Sequence, residues 1–256
     1  MRCARATRLL LLPALLLVSA EALAQTDEIQ VYDAEIATPG QLTLTVHNNF
    51  TAIGRKSAEF PGGLVPHHSL NGVTEFAIGV TRWWELGAYA PAIYTIDGAG
   101  HFWLEGAKLR SLFVSPDGAP RLFYYGCNFE LSYNRPHWSQ STWQLELRAI
   151  AGLHLGAWEI TLNPILDVAF SDPRPDLAPA ARLLHHFSKT WRAGLELYQD
   201  LGQLGRLRAA TDRQQTLFAT VGYSGPAIAV EFGVGTGFTR GGSDALAFKL
   251  IISPNL

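Results

Sequence analysis

Cysteine is almost missing from this chain: there are two, Cys3 and Cys127. Cys3 falls in a segment expected to be removed, which excludes an intramolecular disulfide framework and a thiolate metal centre. Lysine is nearly as scarce, with only Lys56, Lys108, Lys189 and Lys249. A soluble exterior of this size should be better supplied with charge. Beyond the N terminus no apolar run approaches the roughly 20 residues that a membrane-spanning helix needs, so no such helix is expected. A basic excess is lacking too, the formal charge being −2, and nucleic acid is not an expected partner. No Ser-rich, Pro-rich or charged linker divides the chain, which reads as one domain.

The N terminus is the exception to the absence of apolar runs. Arg2, Arg5 and Arg8 precede Leu9–Val18, and Ala22-Leu23-Ala24 offers the small residues at which a signal peptidase cuts. Residues 1–24 therefore read as a cleaved secretory signal. Its removal leaves 17 basic and 21 acidic residues and a formal charge of −4.

What is abundant is alternation. In LFYYGCNFELSYN, Phe123, Tyr125, Cys127, Phe129, Leu131 and Tyr133 oppose Tyr124, Gly126, Asn128, Glu130, Ser132 and Asn134. Period two is the signature of a half-buried strand. Twelve such segments are expected near 41–52, 73–82, 83–96, 101–114, 121–134, 142–156, 157–170, 181–188, 190–200, 214–223, 226–238 and 244–252. Tight turns alternate with longer connections, among them 53–72, 135–141, 171–180 and 201–213. An even strand number with short turns at one end is the plan of an outer-membrane barrel.

The two faces must then be assigned. A soluble barrel would enclose the apolar face. Here that face is long and aromatic, while the other is rich in Gly, Ala, Thr and Asn, and small groups belong on the crowded inner side. Trp83, Trp84, Phe113, Phe123, Trp158, Trp191 and Tyr223 all lie beside tight turns, as an aromatic girdle at a membrane interface requires. The expected fold is all-β: a transmembrane up-and-down antiparallel β-barrel of about 12 strands over 41–256, in the cell outer membrane after export through the periplasm. Residues 25–40 precede it, either on the periplasmic rim or entering the lumen. In strand 101–114, Glu105 has the wrong parity relative to Lys108 and Arg110, which predicts a bulge or an end outside the membrane.

The stretches EIQVYDAEI (Glu28–Ile36), YGCNFELSYN, LNPILD (Leu162–Asp167) and KTWRAGLELYQDLG (Lys189–Gly202) resemble a group of Gram-negative outer-membrane barrels similar to transporters associated with the phenol-degradation meta-pathway family. The resemblance implies fold and location, and carries no catalytic motif.

The register points Arg82, Glu85, Lys108, Arg110, Asn128, Glu130, Glu146, Arg148, Glu159, Asp167, Arg192, Glu196, Glu231 and Lys249 inward. Two readings follow: a polar path whose charges select a small-molecule solute, or an ion-pair network that stiffens a narrow interior. The expected surroundings are outer-membrane lipid around a monomer, with no cofactor and no metal. His67-His68 and His185-His186 read as loop or rim residues, since adjacent strand residues face opposite ways. His137, Ser139 and Ser141 in NRPHWSQS raise a third reading, a barrel lipid hydrolase, without an orienting group at defined spacing. A plugged structural or assembly barrel is the fourth.

Overall fold

A pleated backbone sends successive side chains to opposite faces, so the alternating segments become strands. The computed structural model describes residues 28–116, 121–239 and 242–255; the expected signal at 1–24 lies outside them. They form β1 (Leu42–Ile53), β2 (Ser69–Thr81), β3 (Trp84–Ile96), β4 (Phe102–Val114), β5 (Phe123–Asn134), β6 (Trp143–Leu155), β7 (Trp158–Asn163) and β8 (Ile165–Ala169). The second half of the chain adds β9 (Asp172–Leu177), β10 (Ala180–His186), β11 (Trp191–Asp200), β12 (Gly202–Gln203), β13 (Arg206–Leu207), β14 (Gln214–Ser224), β15 (Ile228–Gly237) and β16 (Leu246–Pro254).

β1 to β7 pair antiparallel in chain order; β7 then pairs with β10, and β11, β14, β15 and β16 follow until β16 returns to β1. The ring is a closed barrel of 12 strands, so every wall strand finds two neighbours and no edge is left to pair. The expected strand 157–170 is interrupted at Pro164, which has no N–H to give the ladder. The register nevertheless runs through it, from Gln144↔Ala169 to Leu155↔Trp158 against β6.

Two expected loops are corrected. Residues 171–180 contain β9, which pairs with β8 and continues the line of β10 past Pro179. Residues 201–213 contain the β12–β13 hairpin, with Gln203 opposite Asp176. The backbone groups of β8 and β9 need partners where the wall rises beyond its neighbours, and these segments supply them. The anomaly at Glu105 is a bulge: Ile93 faces Gly106 and Tyr94 faces Leu104, leaving Glu105 as the extra residue with its side chain buried.

Short turns at 82–83, 156–157 and 187–190 share one end with the start of β1 and the finish of β16, where Leu42 faces Ile78 and Pro254 faces Ile228. The connections 54–68, 135–142 and 204–205 lie at the other. In β5, Tyr124, Asn128, Glu130, Ser132 and Asn134 are buried while Phe123, Tyr125, Phe129, Leu131 and Tyr133 are exposed. Around the wall, Phe76, Leu109, Leu162, Leu195, Leu217 and Phe232 are also exposed. A soluble barrel would enclose such groups, and here they form an apolar outer belt. Trp83, Trp84 and Phe113 stack beside the short turns, and Trp191 lies 4.9 Å from Tyr223. A second aromatic set, including Tyr133 and Trp143 with centroids 5.2 Å apart, marks the long-loop end.

Candidate functional site: the barrel interior

Residues 28–37 pass into the barrel from the short-turn end. Gly40 N–H donates to Gly79 O at 2.8 Å at the entrance, and Ala37 N–H donates to Glu85 Oε2 at 2.6 Å. Deeper, Tyr32 N–H donates to Asn163 Oδ1 and Asn163 Nδ2 donates back to Tyr32 O, at 2.7 and 2.9 Å. A segment without strand pairing must find partners for its backbone in the wall. It takes them from cations: Arg148, Arg182 and Lys249 donate to the carbonyls of Gln30, Val31 and Ile29. Tyr32 and Ala34 pack on Leu112, Val114, Tyr124 and Ile150, and the Arg148 guanidinium sits 4.2 Å from the Tyr32 ring centroid.

The charged wall residues are joined mainly across strands. Arg110 on β4 bonds Glu75 on β2 and, at 2.7 Å, Glu85 on β3. Lys108 reaches Glu130 on β5 at 2.8 Å. Arg148 takes Glu146, two residues earlier on the same strand, through two hydrogen bonds of 2.8 and 3.1 Å. Asn128 is buried opposite Arg148, and Asp167 faces Glu146. Glu159 accepts from Arg182 at 2.6 Å and from the Tyr124 hydroxyl at 2.9 Å. Lys249, fully buried, donates to Glu196 at 2.5 Å and Glu231 at 2.8 Å, and Arg192 lies 3.5 Å from Glu231.

Arg82 is the correction within the expected set. It lies in the tight turn with Trp83 and is exposed, because β2 ends at Thr81 and the period-two parity no longer applies beyond it. Glu28, Asp33, His47, Glu75 and Arg182 were missed. Glu75 and Arg182 stand in alternating stretches whose parity would have found them. Glu28 and Asp33 belong to the inward segment, whose place no periodicity reveals.

Toward the long loops the interior opens into a cavity with about 240 Å³ of room for the centres of water-sized molecules. Its floor is Glu28, Ile29 and Gln30; amides such as Asn71, Asn134, Gln144 and Gln214 line its sides. Carboxylates outnumber cations there: Glu28, Glu130, Glu146, Asp167, Asp176, Asp200 and Asp244 stand against Arg55, Lys108 and Arg148. In the adjoining loop, Arg55 lies 3.4 Å from Glu59 and 3.7 Å from Asp244. Burial pushes the Glu59 carboxyl up to about 7 against the pull of Arg55.

The histidine and serine candidates do not form a catalytic group. His137 Nδ1 meets Glu105 at 2.5 Å, an orienting carboxylate that spacing could not show. The serines are committed elsewhere: Ser139 Oγ accepts from Ser141 N–H at 3.1 Å, and Ser141 Oγ donates to Trp143 O at 2.8 Å. No hydrogen bond among the described residues joins His137 to either. His186 turns toward Glu159 at 3.2 Å, while His185 packs against Trp158 and Phe187. His67 and His68 stack in the 54–68 loop at 3.9 Å.

No family model matches this chain, and no curated protein matches it in sequence. Solved structures do. The crystal structure of the COG4313 outer membrane channel from Pseudomonas putida F1 is 14% identical with a TM-score of 0.61, over 89% of this chain and 99% of that one. The KdgM porin is 9% identical with a TM-score of 0.57, over 84% and 99%. The NanC porin is 9% identical with a TM-score of 0.53, over 83% and 100%. At these identities the likeness is one of fold, and the fold is that of outer-membrane channel barrels.

Proposed function

We propose that this protein is an outer-membrane channel for small polar solutes, with a preference for cationic or neutral ones, working as an exported monomer. The observation that carries the reading is the pairing of an apolar outer belt with a cavity lined by charged and amide side chains inside the same closed wall. An exterior of Phe, Leu and Trp is stable only against acyl chains, and a closed barrel satisfies its backbone there. The cavity's excess of carboxylates favours cations over anions, as rings of acidic groups do in cation channels. The inward segment sets the narrowest stretch of the path. Membership in the meta-pathway transporter group is part of the same proposal and rests on the sequence resemblance.

Planar-bilayer recording of the refolded barrel tests it. Small conductance steps are expected, with a reversal potential in a salt gradient on the cation side. A barrel that migrates as a folded, heat-modifiable species yet gives no conductance and no solute uptake into liposomes would remove the channel reading. Anion selectivity would remove the solute preference alone.

A further inference from the structure

Glu28, His47 and Glu75 come from three parts of the chain: the inward segment, β1 and β2. All three are buried, and one ligand atom from each lies within 4.8 Å of the other two. His47 Nε2 is 3.6 Å from Glu75 Oε2. The other oxygen of Glu75 is held by Arg110, which also serves Glu85. Glu28 Oε2 accepts from the Tyr89 hydroxyl at 2.8 Å, while its Oε1 is buried with no hydrogen-bond partner among the described residues. An ionised oxygen removed from water without a donor is costly unless a cation meets it.

We propose that these three side chains bind a divalent first-row transition cation, which fastens the inward segment to the wall at β1 and β2. One imidazole and two carboxylates are a donor set such ions accept, and three protein ligands leave room for water on the metal. With metal–ligand bonds of about 2.0–2.2 Å, ligand atoms on one ion stand roughly 3–3.5 Å apart. The His47–Glu75 pair is nearly there, and rotation of the Glu28 side chain closes the third edge. Arg110 stays on the far oxygen of Glu75 and orients that carboxylate, as supporting hydrogen bonds do around metal ligands. The site goes beyond the channel reading, since it concerns how the segment is held. A proton on His47 is the competing occupant, and it would satisfy Glu75 while leaving Glu28 Oε1 without a partner.

The test uses the full chain, folded in detergent and stripped with chelator, titrated with Zn²⁺ by calorimetry while bound metal is counted by mass spectrometry. One zinc per chain is expected. Glu28→Gln and His47→Ala should each weaken binding by at least ~10-fold, and His101→Ala, at an exposed turn, should leave it unchanged. Glu28 lies outside every strand, so E28Q keeps the barrel intact, which heat-modifiable migration verifies. No zinc uptake by the folded wild-type barrel, or undiminished affinity in E28Q, overturns the site. Conductance recorded in chelator is a separate readout, so loss of the site leaves the channel reading standing.

Discussion

The half of the barrel beside the short turns and the half beside the long loops share the same wall, yet one is filled and the other is open. In the filled half, Tyr32 and Ala34 of the inward segment meet Leu112, Val114 and Tyr124, and Lys249 ties Glu196 to Glu231. In the open half, Asn71, Asn134 and Gln144 stand around a cavity with Glu28 to Gln30 as its floor. Strand number sets the girth of a barrel, while a non-strand segment decides how much of that girth is free. Glycine in the wall makes room for large inward groups. The Tyr124 ring lies over its cross-strand partner Gly152, where a Cβ would stand 1.9 Å from the ring, and Arg110 lies over Gly87.

The largest break in this contrast is removal of residues 28–37, which should open the filled half. Conductance of the shortened chain is expected to rise severalfold over the full barrel, and unchanged conductance would mean that the constriction lies in the wall. Next comes Lys249→Met, which removes the cation shared by Glu196 and Glu231 and leaves Glu231 only the Arg192 contact at 3.5 Å. A loss of about 3–5 kcal/mol is expected for breaking such a buried pair, read from urea unfolding in vesicles. Gly152→Val attacks the same half by packing alone. Displacing the Tyr124 ring should cost about 1–3 kcal/mol, and a neutral result would show that the ring has somewhere else to go.

The open half is probed more gently. Changing Asp176 and Asp200 together to Asn should move the reversal potential toward anions with little change in stability, measured in a salt gradient across a bilayer. The last probe is Glu59 at the loop end, whose effect is confined to one pH window. Its carboxyl titrates at about 7 when folded against an ordinary 4.5, so the folded state binds the proton more tightly than the unfolded one. Stability from this group is greatest below about 4.5 and declines as pH rises to about 7. Glu59→Gln should flatten that slope in thermal unfolding curves recorded between those pH values.

Much of the wall was legible in the sequence because a barrel strand announces itself twice, once by period and once by the chemistry of its two faces. The Phe123–Asn134 stretch is the clearest instance, with its apolar set outside and Glu130 buried within. The bulge at Glu105 was legible for the same reason, as a break in parity. Arg82 was misread because parity was carried past the end of β2 into a turn, where side-chain direction is set by local dihedrals. Residues 171–180 were misread as loop because the three prolines in DPRPDLAPA suggest a break, although β9 lies at the end of the wall and accommodates two of them, Pro173 and Pro175.

Alternation along the chain called for a closed wall of about twelve strands with the apolar side of the alternating segments facing out, a pattern that any neighbour strand would satisfy. Only the tertiary structure decided that Glu28–Ala37 runs up the inside, that Arg182 would hold Glu159 and Asp33, and that Glu28, His47 and Glu75 would meet. Those contacts join residues far apart in the chain across an enclosed space, and no local pattern encodes which of many buried charges will stand opposite one another.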